Sequence, residues 1–307
     1  MSAEGNGRQR ICMIGFGEAA RAFADGWGLA GRVAAFDIKS RDAALADEME
    51  RACRAAGVDG HAEPGPALSG AGLVFCLVTP DQVLAATGEA APHLSPGAFW
   101  FDGNSCAPGT KRAAARLVAG AGGNYIDMAI MAPVHPRRHR TPLLLAGEAA
   151  ASGAGLLATL GMHPELAGSE TGAASAVKMI RSVMIKGFEA LTAECLLAAR
   201  RAGVEDKVIA SLQSSDPGFG WPERAAYNFD RMMIHGSRRA AEMREVAATL
   251  RELALPDRMA AATAVWQEEI GRLKLEAGKG SLVEHADRVL SAMEAAGDDQ
   301  PAAPGTC

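Results

Sequence analysis

The sequence predicts an α/β chain in which a doubly wound parallel sheet precedes an all-α C-terminal domain, and three observations predict it. Up to about residue 163, short apolar runs alternate with alanine-rich helical segments, the pattern of βαβ units. The first of those runs breaks into Gly15-Phe16-Gly17 and passes directly into a helix. Beyond residue 163 strand signals largely stop, and apolar residues recur at threes and fours, the period of a helix. The expected division is a sheet domain over 1–163, an all-α domain over 164–296 and a disordered tail over 297–307, mostly Gly, Asp, Pro and Ala.

The opening stretch organises the rest. Residues 11–14 (ICMI) form the first strand, and the turn that follows reads Gly15-Phe16-Gly17-Glu18-Ala19-Ala20. Gly15 permits a tight turn, Gly17 lets a pyrophosphate come close to the backbone, and Ala20 keeps helix and strand in contact. The helix N-terminus then offers unpaired N–H groups and the positive end of a dipole to phosphates. A second strand at 32–36 (RVAAF) ends at Asp37, 20 residues after Gly17, where the ribose-binding acid of a Rossmann domain stands. A glycine turn can also serve packing alone, but the acid at this distance favours dinucleotide binding.

The remaining elements follow in order. A helix is expected over 41–56, ended by Gly57, and the apolar run 71–79 (AGLVFCLVT) is a strand buried on both faces. Val78-Thr79-Pro80 close it at the carboxyl end, where ligands of doubly wound sheets bind. A helix over 81–90, a strand over 99–102, a helix over 110–119 and strands over 125–130 and 141–146 complete a parallel sheet of six or more strands. From Thr171 a spine helix runs to Arg201, followed by helices over 205–214, 222–235, 238–253, 256–275 and 281–295.

Composition narrows the function. With 49% hydrophobic residues in 307, the chain has material for two cores, and a net charge of −5 supplies no basic field for nucleic acid. Six cysteines carry no CxxC or Cys/His ligand spacing, so reduced thiols of a cytoplasmic protein are expected and no metal. No apolar run approaches a membrane span, and the polar N-terminus does not read as a signal peptide.

Four blocks then stand in a recognisable order: IGFGEAA at 14–20, LVTPDQV at 77–83, DGNSCAPG at 102–109 and GAASAVKM at 172–179. On these the chain resembles the β-hydroxyacid dehydrogenase superfamily, which includes 3-hydroxyisobutyrate, tartronate semialdehyde and phosphogluconate dehydrogenases and the related imine reductases. The stretch 229–253 resembles a subgroup with a distinctive C-terminal helical domain. The resemblance implies a catalytic lysine at Lys178, with Asn104 and Ser105 near the nicotinamide and substrate. A lysine suits the chemistry because hydride transfer to a carbonyl creates an alkoxide that must be protonated, and a neighbouring cation such as Arg181 lowers the ammonium pKa. A lysine on a solvated helix face is the alternative.

The departures bear on substrate. Ser182 replaces the family's asparagine one turn after Lys178, and Met131 and Ala132 replace its substrate-gripping serine and glycine. This disfavours a small hydroxyacid held by that serine and favours a small-molecule substrate with a carboxylate and an apolar part. Further on, Arg231, His235, Arg238 and Arg239 share one face if the helix continues through Gly236; arginine forks can clamp an anion, while a solvated face paired with Glu242 and Glu245 is the alternative. Arg231 and His235 are the preferred substrate contacts. The charged loop His135–Arg140 reads as solvated, with an anion-binding role as its second reading.

The expected function is NAD(P)-dependent hydride transfer on a secondary alcohol, hydroxyacid or its carbonyl. Alternatives are an imine reductase-like enzyme and a non-catalytic dinucleotide sensor. Asp37 favours NAD, while Lys39, Ser40 and Arg41 leave NADP open. A homodimer is expected from the alanine-rich spine helix and is implied by the resemblance.

Overall fold

The computed structural model describes residues 9–276, 278 and 280–298, and the chain divides into two compact units, Met1–Met179 and Ile180–Cys307. In the first, strands β1 (Arg10–Ile14), β2 (Val33–Phe36), β3 (Asp59–His61), β4 (Ala71–Cys76), β5 (Phe99–Asp102), β6 (Asn124–Ile130), β7 (Leu143–Ala146) and β8 (Glu165–Gly168) form one sheet in the order β3-β2-β1-β4-β5-β6-β7-β8. Its helices are α1 (Glu18–Trp27), α2 (Ala46–Ala55), α3 (Pro64–Leu68), α4 (Val83–Ala90), α5 (Pro108–Gly120) and α6 (Ala150–Ala158).

Both faces of this sheet are covered, and the alternation of side chains sorts the core into two layers. Ile11 and Met13 join Phe23, Phe75 and Phe101 on one face, while Cys12 and Ile14 join Val74, Cys76 and Trp100 on the other. Phe75 and Phe101 stack with ring centres 4.9 Å apart.

The structure departs from the sequence reading at specific points. β7 runs antiparallel to β6 and β8 parallel to β7, so the sheet is mixed. The connection accords with this: between β6 and β7, residues 131–142 form only the short 3-10 turn Arg138–Arg140, whereas a parallel return is usually made by a crossover α-helix. β3 and β8 were not expected, because both are edge strands with largely exposed residues and no apolar signature. The helix expected from 41 starts at Ala46, because Asp37 and Asp42 carboxylates accept from the Lys39 and Ala44 amides and hold the chain in turns. The boundary between the units falls after Met179 rather than at 163: β8 pairs with β7, and Ser175 bonds to Asp127, so these residues belong with the sheet.

The second unit is helical. The spine helix α7 (Ala173–Arg201) enters it from the first, and α8 (Glu205–Ser215), α9 (Trp221–Glu252), α10 (Arg258–Arg272) and α11 (Leu282–Asp298) follow. The helices expected at 222–235 and 238–253 are one continuous α9. Gly236 does not end it. A Cβ there would lie 2.7 Å from Gly271 Cα, so the glycine lets α9 cross α10 backbone to backbone. Phe229, Met232, Met233, Ile270 and Val289 form the core around this crossing. The predicted tail loses Gly297 and Asp298 to α11, and its remainder, 299–307, lies outside the described residues. Among the described residues no helix is long and apolar enough to cross a membrane.

Candidate functional site

In sheet order, the turns after β2, β1, β4 and β5 are neighbours, and they carry Asp37, Gly15–Ala20, Val78–Pro80 and Asn104–Ser105. Strand order reverses between β1 and β4, which makes this carboxyl edge the switch point where doubly wound sheets bind ligands. The sequence-predicted cofactor residues are thus brought to one edge.

The loop itself is built around backbone contacts. Gly15 has φ +86°, and a Cβ on it would lie 2.6 Å from the Leu77 carbonyl oxygen and 2.9 Å from Val78 Cγ1, so neither conformation nor space admits a side chain. Phe16 is fully buried, and its amide donates to Asp37 Oδ2 at 2.8 Å. Ala20 is fully buried where α1 meets the sheet.

Gly17 differs from Gly15. Its φ is −82°, ordinary for any residue, and a Cβ on it would meet nothing within 4 Å. Protein packing therefore gives no reason for glycine there. The space a Cβ would fill lies at the N-terminus of α1, where the N-cap Gly17 has no side chain to offer the first turn. A helix start with a glycine N-cap and open space beside it fits a pyrophosphate. Glu18 and Ala19 form the exposed and half-buried first positions of the helix.

Asp37 accepts from the Lys39 amide as well, at 3.0 Å. Arg41, a candidate partner for a 2′-phosphate, is drawn elsewhere: it pairs with Glu63 and with Glu89 at 2.6 Å, and its guanidinium lies 4.9 Å from the Phe36 ring centre. Hydrogen bonds to Glu63 and Glu89 hold it above the ordinary arginine pKa.

Beneath the turn after β5 is a buried polar network that sequence reasoning missed. Lys111 from α5 is fully buried and donates to the Asp102 carbonyl at 2.7 Å and to Asp102 Oδ1 at 2.8 Å. Tyr125 donates to Asp102 Oδ2 at 2.7 Å, and Asn104 to Oδ1 at 2.6 Å. Burial pulls the Lys111 ammonium down, but Asp102 and Asp127 outweigh it and hold it above the usual lysine value. Burial, then Asp102, raises the Tyr125 phenol. Cys76 is likewise pushed up, chiefly by burial, so a thiol rather than a thiolate lies beside this turn.

Lys178 is half-buried in α7. One turn earlier, the Ser175 amide and hydroxyl donate to Asp127 Oδ2 and Oδ1 at 2.9 and 2.6 Å, anchoring the start of the helix. Met131 and Ala132, both half-buried, open the loop after β6. The charged loop beyond them does not serve this edge: Arg138 pairs with Asp25 at 3.0 Å, in the last turn of α1, and His139 packs beside Gly26.

The other substrate candidates belong to the second unit. Arg181 is exposed and Ser182 buried, its hydroxyl accepting from Lys186 at 3.1 Å. Lys186 pairs with Glu242 at 2.8 Å. Continuity of α9 does put Arg231, His235, Arg238 and Arg239 on one helix, yet not in one environment. Arg239 is buried and pairs with Glu189, which also accepts from Gln267 at 2.7 Å, while Arg238 is exposed. Arg231 and His235 lie between these extremes. Among the described residues Arg231 pairs with no carboxylate, and burial, then the Arg239 cation, lowers its pKa. Lys186, Glu189 and Gln267 were not singled out from sequence; their helical spacing, 186 to 189 on α7, was the available signal.

Comparison with curated proteins gives no match. A family model described as a domain of unknown function, DUF1932, matches residues 199–270. Among solved structures, a conserved hypothetical protein from Sinorhizobium meliloti 1021 is 36% identical, with 93% of this chain and 97% of that one covered and a TM-score of 0.72. The conserved protein MTH1747, of unknown function and described as structurally similar to 3-hydroxyacid dehydrogenases, is 30% identical over 86% and 98% of the two chains, with a TM-score of 0.65. Mycobacterium tuberculosis 3-hydroxyisobutyrate dehydrogenase, solved with L-serine, shares the fold at 14% identity, 92% and 98% coverage and a TM-score of 0.69. The sheet order, the glycine turn and these likenesses agree, and the chain belongs to the β-hydroxyacid dehydrogenase superfamily, with the DUF1932 region in its C-terminal helical part.

Proposed function

We propose that the protein is an NAD(P)-dependent oxidoreductase that moves a hydride between a nicotinamide and the carbon of a secondary alcohol, a hydroxyacid or the corresponding carbonyl. The observation that carries this reading is Gly17, a glycine that neither conformation nor packing requires, at the start of α1 in the turn that Asp37 holds through the Phe16 amide. The turn Gly15–Ala20 would hold the pyrophosphate, Asp37 the adenosine ribose, and Val78–Pro80 with Asn104 and Ser105 the nicotinamide side. When bound, the nicotinamide supplies the carbon that accepts or donates hydride.

Lys178 is the general acid and base. Its ammonium protonates the alkoxide formed on carbonyl reduction, and its amine takes the hydroxyl proton in the oxidative direction. NAD is the preferred form, since the Asp37 carboxylate repels a 2′-phosphate and Arg41 is engaged by Glu63 and Glu89. Arg231 supports an anionic substrate, because a half-buried guanidinium without a carboxylate partner among the described residues retains its fork for one. Met131 and Ala132 in place of a serine and glycine favour a substrate with an apolar portion. The exposed Ile180, Met184 and Leu191 on α7 support a homodimer.

The test has two stages. Calorimetric titration with NAD(H) and NADP(H) comes first; failure to bind either overturns the reading. A panel of hydroxyacids, sugar acids, aryl alcohols and imines, followed by nicotinamide absorbance, comes second. Binding without any turnover would leave a dinucleotide sensor in place of a dehydrogenase.

A further inference from the structure

A buried lysine ammonium needs a reason, since apolar residues of similar volume fill such a place at no electrostatic cost. Lys111 lies between two carboxylates that belong to different strands, 2.8 Å from Asp102 Oδ1 and 3.6 Å from Asp127 Oδ1. Each carboxylate in turn holds one part of the proposed reaction centre.

On the first side, Asp102 Oδ1 accepts from both the backbone and the side-chain nitrogen of Asn104, at 3.0 and 2.6 Å. Only the NH₂ end of the amide can face a carboxylate, so the Asn104 orientation follows. Its Oδ1 is then the end left over, and this buried oxygen has no hydrogen-bond partner among the described residues. On the second side, Asp127 accepts from the Ser175 amide and hydroxyl at 2.9 and 2.6 Å. Ser175 lies one turn before Lys178 on α7.

We propose that Lys111 is a positioning residue: through Asp102 it turns the Asn104 carbonyl oxygen toward the nicotinamide half of the dinucleotide, and through Asp127 it fixes the first turn of the helix that bears Lys178. The proposal rests on the dinucleotide reading above. Without the ammonium, the Asp102 and Asp127 carboxylates repel each other, and the Asn104 amide loses its fixed partner.

The test compares two ligands, reduced dinucleotide (NADH or NADPH, whichever binds tighter) and its nicotinamide-free counterpart, ADP-ribose or 2′-phospho-ADP-ribose. In Lys111→Met, binding of the reduced dinucleotide should weaken about tenfold, the size of one lost hydrogen bond to a charged or oriented group, while the nicotinamide-free ligand binds as before. In an Asn104→Ala background the same substitution should add nothing, because the residue acts through that amide. Hydrogen exchange at the Ser175 amide should accelerate in Lys111→Met. If that variant does not fold, as judged by loss of its far-UV circular dichroism and cooperative thermal unfolding, Lys111→Gln takes its place. Equal weakening of both ligands, or an undiminished further loss in the Asn104→Ala background, would show a merely structural lysine and overturn the proposal. Wild-type protein binding neither ligand would instead overturn the dinucleotide reading itself.

Discussion

The Phe16 amide donates to Asp37 Oδ2 at 2.8 Å, so the acid after β2 fixes the glycine turn as well as being the proposed partner of the ribose. Replacing Asp37 by Ser removes the charge that opposes a 2′-phosphate. We expect NAD affinity to fall about tenfold, the scale of one charge-assisted hydrogen bond, while NADP affinity holds or rises. Calorimetry with both cofactors reads this directly; a parallel loss for both would assign Asp37 to the turn alone.

Lys178→Ala should lower kcat by about 10²–10⁴, the range for a general acid or base, with dinucleotide affinity unchanged. Single-turnover kinetics separate the two. A kcat within a few-fold of wild type on the best substrate of the panel would remove Lys178 from the proton transfer.

Arg231→Ala should raise KM for carboxylate substrates by about 10- to 150-fold, corresponding to about 1.5–3 kcal/mol for hydrogen bonds to a charged group. Substrates of the same carbon skeleton without the carboxylate should be unaffected. Equal effects on both would mean that Arg231 supports α9 rather than the substrate.

Gly236→Ala places a methyl 2.7 Å from Gly271 Cα and 2.8 Å from Gly271 N. Backbone cannot swing aside as a side chain can, so a loss of about 1–3 kcal/mol or more is expected. Thermal unfolding followed by far-UV circular dichroism should show the drop in Tm.

His139 is held below its ordinary value of 6.5 by burial and by the Arg140 and Arg138 cations. Between that lower folded value and 6.5, the unfolded chain binds more protons, so stability rises with pH there. The contribution present at neutral pH is lost as pH falls from 6.5 toward the folded value. Urea unfolding from about pH 5 to about pH 8 should show this slope, and His139→Gln should flatten it.

The turns at the carboxyl edge of β1, β2, β4 and β5, to which the cofactor is assigned in the proposal, were legible because their signals are local: a glycine turn, an acid at the next strand end, and prolines or asparagines at strand termini all follow from backbone requirements. The two strands that escaped notice, β3 and β8, lie at the sheet edges, where residues such as Asp59 and Glu165 face solvent and leave no hydrophobic pattern. Lys111 escaped for a different reason. It stands in PGTKRAAARL, which reads as a helix with a solvated basic face, and its burial comes from carboxylates on β5 and β6 that no local spacing connects to it. The Glu189, Arg239 and Gln267 cluster is likewise assembled from three helices. Gly236 was read as a weak point in a helix, whereas close packing on α10 explains it.

That crossing of α9 over α10 has a consequence for how this protein can diversify. Because Gly236 and Gly271 meet through their backbones, the register of α9 is set at a point that involves no side chain. Arg231, five positions earlier, and His235, next to Gly236, take no part in that backbone contact. With Arg231 and His235 as the proposed substrate contacts, a lineage holding those two glycines constant would trade one substrate for another by changing single side chains, the helical unit acting as a stable mount for interchangeable parts.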